Sequence, residues 1–364
     1  MSSAWGDRIK ISIFGGSHTA GIGVNIDGLP AGERIDMDEV LLQMSRRAPG
    51  QDKAATSRRE GDLPELQCGM DKDGILTGAP LCAVIKNTNQ RSKDYSQLAV
   101  RPRPGHADYT AYVKYSGRND IRGGGHFSGR LTAPLVFAGA VFRQILSRHG
   151  IEIGAHAEAI GNVKDASFDP VRIEADLLRQ LNREYFPVLC SDKKQQMYDC
   201  IEAARRDGDS VGGIIECAVT GLPAGLGTPM FDGVENKLSS IIFGIPAVKG
   251  ISFGAGFKAA GLRGSENNDS FYYGDDGSIK TETNNSGGIL GGITNGMPVI
   301  FRVGIKPTPS ISLQQNTVNL ETGKNDTLQI TGRHDPCILP RAIPVAEAAA
   351  AVAIFDLWMD RGGN

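Results

Sequence analysis

Apolar and polar residues alternate from Lys10 to Phe14 and again from Gly23 to Asp27, which predicts two paired strands. The first runs straight into Gly15-Gly16-Ser17-His18. Asp36 then offers a helix N-cap with Glu39 three residues on, and Val40 to Met44 continues a helix that ends at Arg46-Arg47, ahead of Pro49-Gly50. Ile75 to Asn87 reads as strand. The strongest helical period runs from Thr132 to His149. Leu135, Val136, Ala138, Val141, Phe142 and Ile145 fall on one face, and Gly150 suits the position after the end. Further helices fit Pro170 to Tyr185, Lys194 to Arg206 and Asp232 to Ile245. Further strands fit Gly212 to Thr220, Ser252 to Ala255 and Pro298 to Ile305. An alanine-rich run from Pro344 to Met359 predicts a last helix opened by proline. Residues 51–64 read as a polar loop and 264–288 as a long surface excursion. No linker interrupts the alternation, so residues 1–364 read as one continuous α+β or layered domain.

Composition narrows the class. An apolar content of 40% with 22% charged residues describes a soluble globular chain. No apolar run approaches the roughly 18 residues of a membrane span. The N-terminus lacks the apolar core of a leader, so a cytoplasmic protein without membrane contact is expected. Six scattered cysteines with no CxxC pair predict reduced thiols and no metal. A net charge of −2 argues against a nucleic-acid partner. Glycine is the outlier, at 47 of 364 residues against a usual share of about 7%. It clusters at Gly15-Gly16, Gly123 to Gly125, Gly212-Gly213, Gly287-Gly288 and Gly291-Gly292, as loops pressed against a ligand would.

The chemistry concentrates between Arg101 and Arg130, where six cationic side chains face two aspartates and flank His106, His126 and three consecutive glycines. Arginine forks and bare amides bind phosphate and carboxylate oxygens, so the segment predicts a polyanionic small-molecule ligand. His18, at a strand end, and His106, in a loop fixed by Pro104 and Gly105, are candidate proton-transfer groups. Asp108 either orients a neighbouring histidine or caps a turn. Gly123 to Arg130 feeds a helix N-terminus, a place for phosphate, without the Walker lysine. Gly254-Ala-Gly-Phe-Lys-Ala259 matches the dinucleotide pattern GxGxxA but is not followed by a helix signal.

Together these segments resemble the chorismate synthases, in order and over nearly the whole chain. The resemblance rests on FGGSHTAG (14–21), RRAPG (46–50), NTNQRSKDYS (87–96), RPGHADYT (103–110) and RGGGHFSGRLTA (122–133). It continues with PAVKGISFGAGF (246–257), SGGILGGITNG (286–296), KPTPSI (306–311) and GRHDPC (332–337). The family commonly has GESHG, RSSARET and KPTSS where this chain has GGSHT, HFSGRLT and KPTPS. The resemblance implies a β-α-β layered sandwich, usually a homotetramer. It implies a lyase of the shikimate pathway that eliminates phosphate from 5-enolpyruvylshikimate 3-phosphate to give chorismate. Reduced FMN would be needed without net redox change, with NADPH as an indirect reductant or an external flavin reductase as partner.

By motif position, His18 would protonate the departing phosphate, His106 would serve proton transfer to the flavin, and Asp335 would assist proton removal. Arg47, Arg130, Arg333 and Arg341 would hold substrate anions. Arg47, Lys53, His126, Phe127, Ser128, Pro246, Ala247, Gly291, Lys306, Pro307, Thr308, Pro309, Ser310 and Arg333 would contact the cofactor. Two other readings compete: a hydride-transferring oxidoreductase, from GxGxxA, and a non-catalytic flavin- or anion-binding protein.

Overall fold

The computed structural model describes residues 3–50, 52, 61–88, 97–330 and 335–360. Ala4–Trp5 (β1), Lys10–Gly15 (β2), Gly21–Asp27 (β3), Pro64–Cys68 (β4) and Leu81–Lys86 (β5) form one antiparallel sheet in the order β1-β2-β3-β5-β4. Helix α1 (Met37–Arg47) leaves that sheet, with Asp36 Oδ1 accepting from Asp38 N at 2.9 Å as the predicted cap. Asp108–Lys114 (α2) and Thr132–Arg148 (α3) follow. The second sheet begins with Glu152–Ile160 (β6) and Val163–Lys164 (β7). After Ala175–Leu181 (α4) and Ser191–Arg206 (α5) come Gly213–Thr220 (β8), Val234–Ile242 (α6) and Val248–Phe253 (β9). A short helix, Gly264–Asn267 (α7), and two small hairpins interrupt the sheet: Phe271–Tyr273 (β10) with Ile279–Thr281 (β11), and Ile289–Leu290 (β12) with Ile293–Thr294 (β13). Val299–Ile305 (β14) completes it in the antiparallel order β7-β6-β8-β14-β9. A last hairpin, Gln315–Asn319 (β15) with Lys324–Leu328 (β16), precedes Leu339–Asp360 (α8).

The layers follow from which faces are apolar. Ile11, Ile22, Val24, Ile26, Leu81, Ala83 and Ile85 are the buried alternate positions of the first sheet, and they pack on α3. Helix α8 packs on β6 and β8 from the other side, and α3 lies against α8. Two sheets thus enclose one helical layer, which is the α+β sandwich expected. Close helix packing accounts for the alanine run. A Cβ built on Gly139 of α3 would lie 2.3 Å from Ala348 of α8, so small residues let the two helices approach closely.

Helix α8 is long and apolar enough to cross a membrane by length and composition, contrary to the expectation of no such run, but 83% of its apolar window is buried in this layer. It also starts earlier than expected, at Leu339, leaving Pro344 inside the helix. The helix expected over 170–185 is shorter, at Ala175–Leu181. Asp169 Oδ1 accepts from Val171 N at 2.9 Å and Arg172 N at 3.0 Å, which holds the preceding residues in a turn.

Strand β6 was not expected from sequence, yet it is central to the second sheet and buried on both faces. Its outer face carries His156, fully buried between two carboxylates: Nε2 is 2.9 Å from Glu216 Oε2 and Nδ1 is 3.3 Å from Asp165 Oδ2. Burial works against the imidazolium, but the bonds to Asp165 and Glu216 outweigh it and raise the pKa above its usual 6.5. That stability is present in full below the unfolded value and is lost as pH rises through the higher folded one. Urea midpoints of the wild type are therefore expected to fall as pH rises above about 6.5. The slope should vanish in His156→Gln, and equal slopes in the two proteins would refute the assignment.

Candidate active site

A cavity of about 560 Å³ opens where the helical layer ends. Its walls come from the end of α1, the loop before α2, the glycine loop before α3, the segment between α6 and β9, the segment after β14 and the start of α8. Its lining combines apolar side chains, Phe127, Ile245, Val248, Ile338 and Val345, with six cations, Arg47, Arg103, Arg130, Lys249, Lys306 and Arg341, and Asp335 is the single carboxylate among its described lining residues.

The two arginines that end α1 diverge. Arg46 turns into the core, where Nη1 lies 2.5 Å from Glu347 Oε2 and Nε donates to Glu184 O at 2.8 Å. Arg47 faces the cavity. Its Nε donates to Thr132 Oγ1 at 3.1 Å and its Nη2 to Gly129 O at 3.0 Å. Its Nη1 pairs with Asp62, which also pairs with Arg130. Asp62 has no exposed side-chain surface and is absent from the cavity wall, so it holds both guanidinium groups from behind. Burial pulls Arg47 down to about 10, although Asp62 opposes it. Burial pushes Asp62 up, but the charges of Arg47 and Arg130 win and hold it below the usual carboxylate value.

The three glycines are required by position. Gly123, Gly124 and Gly125 have φ of 59, 85 and 52°. A Cβ on Gly123 would sit 2.4 Å from the His18 ring, one on Gly124 3.2 Å from the His106 ring, and one on Gly125 2.2 Å from Asp120 O. The loop therefore passes between the two histidines at contact distance. His126 lines the cavity with both nitrogens engaged. Nδ1 lies 2.9 Å from Gly15 O, so it carries the proton, and Nε2 accepts from Ser3 Oγ at 2.7 Å.

His106 Nδ1 lies 2.6 Å from Asp108 Oδ1. Arg103 grips the same carboxylate with Nε to Oδ2 at 2.7 Å and Nη2 to Oδ1 at 2.8 Å, and donates from Nη1 to Ser310 Oγ at 3.2 Å. Burial raises Asp108, but the bonds from Arg103 and His106 hold it far below the usual carboxylate range. Lys306 donates to Gly105 O; burial and the neighbouring charge of Lys249 lower its pKa. Arg341 Nη2 is 3.3 Å from Asp335 Oδ2. Ala247 is held at φ 75°, a left-handed conformation that costs a non-glycine residue about 1–2 kcal/mol, and its carbonyl accepts from Lys306 N at 3.0 Å.

Of the residues expected at the site, His106, Asp335, Arg47, Arg130, Arg341, His126, Phe127, Ser128, Pro246, Ala247, Lys306, Thr308, Pro309 and Ser310 lie on the cavity wall. Three do not. His18 sits behind Gly123, Pro307 packs toward Gly212, and Gly291 lies in the turn between β12 and β13, whose next residue abuts Thr228 and Gly233. The motif puts a glycine at 291, but the turn geometry uses it. Lys53 and Arg333 lie outside the described residues. Sequence reading missed Asp62, Arg103 and Lys249 as site residues; Arg103 and Lys249 stand inside motifs already noted, whereas Asp62 carries no local signal. The GxGxxA match continues into a 3-10 turn, Gly256–Gly261, and not into a helix, so the dinucleotide context is absent.

A family profile described as chorismate synthase matches residues 9–359. A curated chorismate synthase of Dehalococcoides mccartyi is 46% identical over 364 residues, covering 100% of this chain and 98% of the relative. One of Methanocella arvoryzae is 45% identical over 362 residues, covering 99% and 95%. A solved structure described as the crystal structure of chorismate synthase aligns with 99% of this chain and 94% of its own, at a TM-score of 0.76 and 24% identity, which speaks for the fold alone. A cation-rich cavity built from the motif-bearing loops, a matching fold and near full-length relatives at this identity agree: the chain belongs to the chorismate synthase family.

Proposed function

We propose that this enzyme eliminates phosphate from 5-enolpyruvylshikimate 3-phosphate to give chorismate, with reduced FMN bound in the same cavity. The observation that carries the reading is the concentration of six cations, with a single described carboxylate, in one cavity that also has apolar lining. The cations suit a phosphate and two carboxylates, and the apolar side chains suit a flat ring system. The residues fit the flavin. Phe127, Ser128, Pro246, Ala247 and the Lys306–Ser310 segment would hold it, with His126 offering its ring and no free nitrogen. When bound, reduced FMN supplies a transient electron and a base for a C6 proton that is not acidic, with no net redox change.

The remaining work falls to side chains. Arg47 and Arg130, held by Asp62, and Arg341, beside Asp335, bind the substrate anions and stabilise the charge that collects on the departing phosphate. His106 exchanges a proton with the cofactor through Nε2. Asp335 assists removal of the C6 proton. His18 protonates the phosphate as the C3–O bond breaks, an approach that requires the Gly123–Gly125 loop to step aside. A homotetramer would cover Phe231, Phe257 and Tyr273, which are 80, 92 and 78% exposed in the single chain.

Under anaerobic conditions, the enolpyruvyl substrate with chemically reduced FMN is expected to yield chorismate and inorganic phosphate in equal amounts, with no flavin consumed. Stoichiometric flavin oxidation would instead favour hydride transfer, and flavin binding without product would favour a binding protein. Repeating the assay with NADPH and oxidised FMN alone shows whether a separate reductase is needed.

A further inference from the structure

We propose that Asp108 and Arg103 act as positioning residues that fix His106 as its Nδ1–H tautomer, leaving Nε2 as the proton-exchanging atom. The inference rests on the reading of His106 as a proton-transfer group and specifies which atom works and what sets it.

A neutral His106 has two tautomers. His106 Nδ1 has two neighbours, Asp108 Oδ1 at 2.6 Å and Arg103 Nη2 at 3.0 Å. If Nδ1 held a lone pair, it would accept from Arg103 but face an ionised oxygen at 2.6 Å with no proton between them. If Nδ1 holds the proton, it donates to Asp108 in a short charge-assisted bond. Arg103 Nη2 then directs its own proton to the same oxygen, 2.8 Å away. The second arrangement satisfies every group, so it prevails.

Asp108 does not serve helix α2 as a cap. It is the helix's first residue, and the cap position, Ala107, makes no side-chain bond. Its oxygens are taken by His106, the Arg103 side chain and the Arg103 backbone N–H, at 3.0 Å. No described residue hydrogen-bonds Nε2, and that edge of the ring faces Gly124, where the missing Cβ leaves it room.

Arg103 has a second effect. An unpaired carboxylate beside His106 would favour the imidazolium and oppose release of its proton. Arg103 cancels most of that charge while leaving the hydrogen bond intact. It also ties the pair to Ser310 on the cavity wall.

The test uses ¹⁵N-histidine-labelled protein without cofactor, with the His106 signal assigned by its loss in His106→Gln. The wild type is expected to show the Nδ1–H tautomer at high pH. Asp108→Asn should raise the Nε2–H fraction, whereas Arg103→Gln, which leaves the Asp108 acceptor in place, should keep the Nδ1–H form but broaden its signal as the pair loses its tie to Ser310. A predominantly Nε2–H wild type overturns the proposal without recourse to any variant. So does a folded Asp108→Asn protein that keeps the wild-type tautomer. Because no turnover is measured, this result is independent of the anaerobic assay, which tests the reaction itself.

Discussion

Replacing Asp62 with alanine is expected to cost about 3–5 kcal/mol of folding stability, the range for breaking a buried ion pair from one side. The carboxylate is the shared counter-charge of Arg47 and Arg130, and all three side chains are almost fully buried. Without it, two almost fully buried guanidinium groups are left beside each other with no counter-charge between them. The deficit should depend on pH in a defined sense. The folded pKa of Asp62 is lowered, so its contribution is complete above the ordinary carboxylate pKa and disappears as pH falls through the lower folded value. Wild type and variant should therefore converge in acid and differ most at neutral pH. Anions give a second readout. Both arginines line the cavity, so inorganic phosphate should raise the melting temperature of the variant more than that of the wild type at equal ionic strength. Equal melting temperatures in chloride, with equal phosphate responses, would show that Asp62 is not the counter-ion.

Gly123→Ala is expected to lower turnover about 100-fold or more while leaving the fold intact. The backbone there, at φ 59° and ψ 18°, is left-handed and costs alanine about 1–2 kcal/mol, a strain the fold can absorb; the contact adds to it. The added methyl would meet the His18 ring at 2.4 Å and Ser17 Oγ at 2.5 Å, and both side chains are buried with little room to retreat. The neighbouring positions grade the effect. Gly124→Ala meets the His106 ring at 3.2 Å and should lose less activity. Gly125→Ala meets a backbone carbonyl at 2.2 Å, with φ 52° and ψ −123°, a region open to glycine alone, and should disrupt the loop itself. Anaerobic turnover and thermal melts on the three variants check the order. If Gly123→Ala turns over at the wild-type rate, His18 does not need its present seat.

Sequence pattern located the elements whose burial is one-sided. Strands β2 and β3 bury apolar residues at alternate positions, Ile11 and then Ile22, Val24 and Ile26, and α3 shows a helical period with a glycine past its end, so both were legible. Strand β6 was not, because both of its faces are covered. Alanine and glycine then replace the branched residues that usually mark strands, and alternation disappears. The RRAPG motif singles out Arg47, and packing gives the reason: Arg46 neutralises Glu347 in the core, while Arg47 faces the cavity. The motifs pointed to His106, Arg47, Arg130 and Asp335, since each stands in a short fixed loop or at a helix end. They could not identify Asp62, whose partners are 15 and 68 residues away and whose surroundings read as an ordinary charged loop. Nor could they tell that Gly123 stands between His18 and the cavity, since that order is set by how the β2–β3 connection meets the glycine loop.

Helix α8 fills the space between the sheets, and its polar contacts reach across almost the whole chain. Asp356 Oδ1 accepts from the backbone of Asp7, Arg8 and Ile9, and Glu347 pairs with Arg46 from 301 residues away. The second sheet cannot bury its inner face until those distant segments meet, and α3, which covers the first sheet, lacks its packing partner until then. Loop closure over such separations must be met before the contacts reward it, so the final core forms late and slowly. Until then, the apolar inner face of the second sheet and the uncovered side of α3 stay open to solvent and to other chains, so the helix that completes the native core also sets the interval in which the protein is most exposed to aggregation.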